Sequence, residues 1–491
     1  MECAESVSFF AGRKRYGYDE LIGRSTDRNR GWGRQAIRDT FSCMTIQLHP
    51  EAAKRFDELG KQLLIKITSE PRFSKLQEAF RPDIHPVMHI PEQDIIGDIG
   101  VRQSIVDGTG EEVGRFFGNT IPKIGLIGDG FRALKDLAER FQRHGDLGAV
   151  ASFEFIRDAV FEWVEFSHRC QPLGTLSEYI SKRANEEIRD FEIWVPLFQT
   201  YLESTIPMGP VMLRTITRKM MDEAEAKIPI PDAETAAAVR LAFARDRSAI
   251  QGCAGVVVKI CAEQKRAVDT ARQEAEVAAG LLRFFSPANW TPKLRSYCVP
   301  LGSENVRRSA ELFLENDSIT TYSRGVLDST QPWVLSNSYL AQFRMLFDRV
   351  SALWRESKRS PFQQDLYDVL LVYSRNSLAV QPADKLIYIL VALESILLRN
   401  ESEPIGQNVS ERMAFLCGNS LAARKAIVAN AKEVYRLRSA FVHHGQSIKD
   451  MEALSTFMLN AWTCFYNLIM TSELYQTKDD LILAIENRKM S

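Results

Sequence analysis

The chain has 491 residues, too many for one hydrophobic core, so more than one domain is expected. Its 45% hydrophobic and 25% charged residues fit a folded water-soluble protein, and a formal net charge of −1 excludes global steering toward nucleic acid or membrane. No apolar run reaches the ~18 residues of a membrane span, so no membrane partner is expected. The longest, LIYILVAL at 386–393, fits a buried helix. The first twenty residues lack the basic start and apolar stretch of a secretory signal, and eight cysteines are scattered without a CxxC pair. Reduced thiols in a cytoplasm are expected.

Along the chain, residues 1–90 read as mixed structure. MTIQL (44–48) and LLIKIT (63–68) predict short strands around a helix, PEAAKRFDELG, with Pro50 in its first turn. From 91 to about 130, frequent glycine and a broken apolar pattern predict loops and short strands. Between about 131 and 225 amphipathic helices dominate, as in FRALKDLAERFQRH and VMLRTITRKMMDEAEAK, with FEIWVPLF between them as a buried strand. Pro229 and Pro231 break the pattern and Asp232 suits an N-cap. The stretch 233–285 then reads as an antiparallel helix pair or one extended helix. Residues 295–335 turn β-like, in LRSYCVPL, SAELFLE and ITTYS. From 337 onward everything reads helical, with boundaries at Pro361, Pro382, Gly418 and Gly445.

The expected fold is therefore multidomain and mainly α. A mixed α/β region at 1–230 is expected to sense or regulate; a long helical segment and β-rich connector follow at 231–336, and an all-α bundle at 337–491. Two motifs carry little weight. PKIGLIGDGFRALKDL (122–137) is loosely like a phosphate-binding turn, but Pro122 makes a poor strand before its glycines and their order is wrong. His85, His89, Glu92 and Asp94 lie close together, yet Pro82, Pro86 and Pro91 oppose a helix that would align the histidines, and a surface loop is expected. Cys253 and Cys261 stand too far apart for joint ligation and read as packing residues. Neither a P-loop nor a Gly-x-Ser-x-Gly sequence occurs, so no metal or cofactor is expected.

The chemistry-bearing stretch is EVYRLRSAFVHHG at 433–445, in a chain with only seven histidines. Arg438 and His443 form an Arg-x4-His spacing, weak by itself because arginine is frequent. Metal-free RNA cleavage needs a base for the ribose 2′-OH, an acid for the leaving oxygen and a cation for the phosphorane. Histidine can serve either proton role, and the arginine fork matches phosphate. On a rigid helix, however, positions five apart point about 140° from each other. With Val434, Leu437 and Phe441 as the core stripe, Arg438 lies beside it and His443 nearly opposite. Either the helix frays or bends before Gly445, or two copies of it pool their residues, as a two-fold dimer would allow. Arg424, Lys425, Lys432 and Arg436 add local positive charge for RNA phosphates, against Glu433 alone.

The last 150 residues, about 30% of the chain, resemble the HEPN superfamily of helical bundles, most closely its ApeA-like branch. The resemblance rests on LVALESILLRN with Glu394, VSERMAFLCG with Arg412, and YRLRSAFVHHG with Arg438 and His443, in that order and at fitting intervals. It implies a metal-independent endoribonuclease whose active site forms across a homodimer, serving antiviral defence or toxin-like growth arrest. Arg438 and His443 would be the catalytic pair, with Ser439, His444 and Glu394 in support. The residue after the motif arginine is usually Asn, Asp or His; here it is Ser439, which hydrogen-bonds but is no acid–base group. The other expectation is a non-catalytic module for dimerisation or interaction. A defence trigger or regulatory partner would act through the N-terminal region.

Overall fold

The computed structural model describes residues 46–70, 104–106, 111–117, 123–171, 174–227, 233–303, 308–315, 318–326 and 332–490. The His85 to Asp94 cluster, Asp232 and most of the proline linker at 228–234 lie outside them. The protein is mainly α, with mixed α and β structure in its N-terminal part and a C-terminal helical region. It divides into two compact units, Met1–Arg189 with Cys261–Arg266, and Asp190–Ile260 with Ala267–Ser491.

In the first unit, helix α1 (Pro50–Leu64) precedes an antiparallel sheet. Its strands β1 (Thr68–Glu70), β2 (Ser104–Val106), β3 (Glu112–Phe116) and β4 (Lys123–Ile127) run in the order β1-β4-β3-β2. Helices α2 (Asp129–Gln142), α3 (Gly145–Val150), α4 (Phe153–His168) and α5 (Leu176–Glu187) follow. Their apolar faces supply a core that includes Phe131, Leu134, Phe141, Val160 and Phe161. The expected strand LLIKIT is corrected: Leu63 and Leu64 finish α1, and the strand begins only at Thr68. The described part of MTIQL is not a strand either. The Ile46 backbone is paired instead by the Asn185 amide, which accepts from its N–H at 2.7 Å and donates to its carbonyl at 3.1 Å.

The poor strand before the glycines is a second correction, since Lys123–Ile127 is β4 and Gly128 (φ 55°) turns it into α2. The turn is still no phosphate site of the dinucleotide kind. Its sheet is antiparallel, and Gly125 lies inside β4, where any Cβ would strike the backbone of Arg115. The first-turn carboxylate of Asp129 already opposes an anion.

The second unit begins with β5 (Arg189–Leu202), β6 (Ile206–Met208), β7 (Val211–Thr215), α6 (Arg218–Ala226), α7 (Ala233–Ile250), β8 (Cys253–Ala262) and α8 (Gln264–Arg283). FEIWVPLF lies inside β5, as expected. VMLRTITRKMMDEAEAK is not one helix: its first five residues alternate buried and exposed, Val211 and Leu213 inward, and form β7. A period of two outweighs their helical propensity. The antiparallel helix pair or single extended helix expected over 233–285 is corrected too, since a strand separates two helices there. Gly252 (φ 88°) stops α7, and the β-branched run Val256–Val258 makes β8, buried from Cys253 to Val258. Cys253 and Cys261 both lie on β8, Cys253 buried and Cys261 half-buried.

With the short strand β11 (Trp333–Leu335) these strands form a five-stranded sheet, β11-β5-β8-β7-β6. SAELFLE and ITTYS lie in an antiparallel hairpin, β9 (Arg308–Glu315) and β10 (Ser318–Val326). LRSYCVPL is not a strand; it meets β5 through one bridge, Leu197 to Pro300, because Pro300 has no N–H to continue a ladder.

The C-terminal helices are α9 (Asn337–Gln342), α10 (Arg344–Arg355), α11 (Pro361–Tyr373), α12 (Pro382–Leu397), α13 (Ile405–Cys417), α14 (Leu421–His444), α15 (Met451–Met470) and α16 (Lys478–Met490). Pro361 and Pro382 occupy first turns, and Gly418 and Gly445 the C-caps of α13 and α14. The peptide after α8 threads into this bundle. Phe284 stacks on Trp462, whose indole N–H donates to the Phe284 carbonyl at 3.0 Å. The buried Lys385 Nζ donates to the carbonyls of Ala288 and Leu294 at 3.0 and 2.7 Å.

Candidate active site on the last motif helix

Ser420 opens α14 by accepting from the Ala423 N–H, and Ile427, Ala431 and Val434 bury its inner face. The helix runs unbroken to His444. Gly445, left-handed at φ 64°, closes it: its N–H reaches the Phe441 carbonyl at 2.9 Å, and that of Gln446 the Ala440 carbonyl at 3.3 Å. No fraying before Gly445 turns His443 toward Arg438. In one chain the two side chains therefore leave the helix about 140° apart.

Arg438 sits four residues after Val434 and seven after Ala431, continuing the inner face, yet it is exposed. Of the expected core stripe, Val434 is buried while Leu437 and Phe441 are half-buried, and Val442 is 45% exposed. The last two turns of α14 thus present a thinly covered apolar surface. His443 and His444 are exposed, their rings 6.4 Å apart and nearly edge to face. Lys425, Lys432, Arg436, Ser439 and His443 are all exposed and, at about 100° per residue, share the outer face of α14. Arg436 is held by Glu433, with Nη2 2.6 Å from the carboxylate. Arg424 is occupied differently, with Nε donating to the Gly418 carbonyl at 3.1 Å and its guanidinium over the Phe415 ring.

Glu394 lies three residues before the end of α12, half-buried. Tyr435, one turn before Arg438 on α14, donates its hydroxyl to Glu394 Oε1 at 3.1 Å. Burial raises the Glu394 carboxyl above its ordinary value, while the Tyr435 hydrogen bond and the Arg438 charge oppose that rise. Burial also raises the Tyr435 phenol, and the Glu394 charge adds to it. Among the described residues the Arg438 side chain makes no hydrogen bond or ion pair, so its coupling to Glu394 acts through space. The fold thus gathers Glu394, Tyr435 and Arg438 and leaves His443 on another face. Sequence reading missed Tyr435. Its i,i+3 spacing to Arg438 was visible, but the partner that matters is on another helix.

Arg412 is buried, with Nη1 2.6 Å from both the Leu397 carbonyl and Glu403 Oε2, and Nη2 2.8 Å from Glu403 Oε1. It joins α13 to the end of α12 and is inaccessible to a substrate. Among the described residues no group of three His, Cys, Asp or Glu could hold a metal ion, and no helix is long and apolar enough to cross a membrane. An open groove of about 630 Å³ between α6 and α7 is lined by Asp222, Glu225, Arg240 and Arg247, and Arg247 pairs with both carboxylates. Compared with family models, curated proteins and solved structures, the chain finds no match.

Proposed function

We propose that the C-terminal helical region is a metal-independent RNA endonuclease of the HEPN type, acting as a homodimer in the cytoplasm in antiviral defence or growth arrest. The observation that carries this reading is the exposure of Arg438 and His443 on the end of one unbroken helix, pointing to different sides. A cation and an imidazole so placed can meet across a two-fold axis, where Arg438 of one copy stabilises the phosphorane and His443 of the other moves a proton. Glu394 lies beside Arg438, and Ser439 and His444 flank the pair. Lys425, Lys432 and Arg436 extend the outer face as contacts for RNA phosphates. The N-terminal part would receive the trigger or a regulatory partner.

One observation favours the second reading, a non-catalytic dimerisation or interaction module: the half-covered Leu437 and Phe441 beside exposed Val442 would serve a partner without chemistry. The deciding experiment incubates purified protein with end-labelled tRNA and single-stranded RNA in EDTA, beside His443→Ala. Cleavage by the wild type alone, leaving 2′,3′-cyclic phosphate ends, is the expected result. Equal cleavage by both, or by neither with the wild type dimeric, would reject the nuclease.

A further inference from the structure

One polar contact beside the candidate site, that between Tyr435 and Glu394, has no part in the nuclease chemistry proposed above. Glu394 is half-buried near the end of α12, and its Oε1 accepts from the Tyr435 hydroxyl at 3.1 Å. Tyr435 and Arg438 are one turn apart on α14 and so stand on the same side of the helix. Arg438 is exposed, and its charge acts on Glu394 without an ion pair between the two.

We propose that Tyr435 is a positioning residue: by fixing and hydrogen-bonding the Glu394 carboxylate, it keeps a negative charge behind Arg438 that holds the guanidinium over the α12–α14 side, where the phosphate is to sit. This inference rests on the nuclease reading and adds to it a control on the Arg438 end. A flexible arginine at a helix end samples many rotamers, so a carboxylate fixed from behind narrows them without occupying the phosphate-facing donors.

The groups acting on Glu394 are few. Tyr435 and Arg438, both on α14, favour its ionised form, while burial opposes it. Arg412 on α13 is turned to Leu397 and Glu403, and Lys478, opening α16, donates to the Ser395 carbonyl at 3.3 Å. On α11, Asp365 is acted on by Lys478 and Asp368 rather than by Glu394. Removing the Tyr435 hydroxyl therefore removes one of two influences that keep Glu394 charged, and the carboxylate will hold its proton to a higher pH. Tyr435→Phe should then be impaired at low pH and recover as pH rises. A residue that merely packed would not give that pattern.

The test measures kcat and KM for single-stranded RNA cleavage in EDTA by the full chain from pH 5 to 9. The proteins compared are wild type, Tyr435→Phe, Glu394→Gln and Arg438→Ala, with melting curves to show each is folded. Tyr435→Phe is expected to lower kcat about tenfold at pH 6 and less than about twofold at pH 8.5, with KM little changed. Glu394→Gln, which cannot ionise, should be slow at every pH and lose this acid limb. A Tyr435→Phe profile equal to wild type, or reduced evenly at all pH, would overturn the positioning role and leave the nuclease intact. Were Arg438→Ala to cleave as well as wild type, or the wild type not at all, the nuclease reading would fall and the role of Tyr435 with it.

Discussion

Replacing Arg412 with Ala tests whether this motif arginine serves the fold rather than the chemistry. The substitution removes two bonds to Glu403, at 2.6 and 2.8 Å, and one to the Leu397 carbonyl at 2.6 Å. Breaking a buried ion pair by deleting one partner costs about 3–5 kcal/mol. A second route gives a similar figure. The Arg412 hydrogen bonds hold the Glu403 carboxyl down from 4.5 to about 2, with smaller help from the Arg399 backbone. That difference corresponds to about 3 kcal/mol, or nearer 2 once discounted for solvent at the carboxylate. We therefore expect a loss of about 3 kcal/mol at pH 7 in urea unfolding followed by tryptophan fluorescence. Glu403 has a depressed folded value, so its share of stability is present above pH 4.5 and lost as pH falls toward 2. The gap between wild type and Arg412→Ala should accordingly shrink by roughly half by pH 3 and further toward pH 2, where the Leu397 bond remains. Glu403→Gln should reproduce the pH-dependent part alone. A gap below about 1 kcal/mol at pH 7, or one unchanged at pH 3, would refute the assignment.

Three further outcomes are expected. Burial lowers the Lys385 ammonium to about 7, so the unfolded chain binds the extra proton above that pH. Stability should rise from pH 7 to 9 by about 2 kcal/mol, a slope that Lys385→Met should lack in the same urea titrations. Gly209→Ala should destabilise by about 2–4 kcal/mol, because φ is 54° and a Cβ would overlap the Trp354 indole. A melting temperature unchanged from wild type would contradict the packing described there. Finally, Arg438→Ala and His443→Ala, each inactive alone, should recover about a quarter of wild-type cleavage when refolded together, since half the dimers would hold one complete site. No recovery, with mixed dimers shown to form, would place both residues of a site in one chain.

Local pattern was enough for much of the helical region. Proline and glycine fix where α11 and α12 begin and α13 and α14 end, because those residues restrict or free the backbone wherever the rest of the chain goes. It also gave the 140° divergence of Arg438 and His443, which depends only on helix geometry once α14 is unbroken. Local pattern failed where a segment's fate depended on distant partners. VMLRT and CAGVVVKICA are strands because neighbouring strands accept their backbone groups, although alanine-rich and charged helices flank them. The described part of MTIQL lost its strand to a side chain, since Asn185 took the hydrogen bonds of Ile46. Chain composition likewise marked Arg424, Lys425, Lys432 and Arg436 as one basic group, whereas packing turned Arg424 onto Phe415 and left Lys425 and Lys432 exposed. The pairing of Tyr435 with Glu394 spans 41 residues and two helices. A spacing rule sees one helix at a time; only packing α14 against α12 puts the phenol within reach of the carboxylate and sets Arg438 beside it.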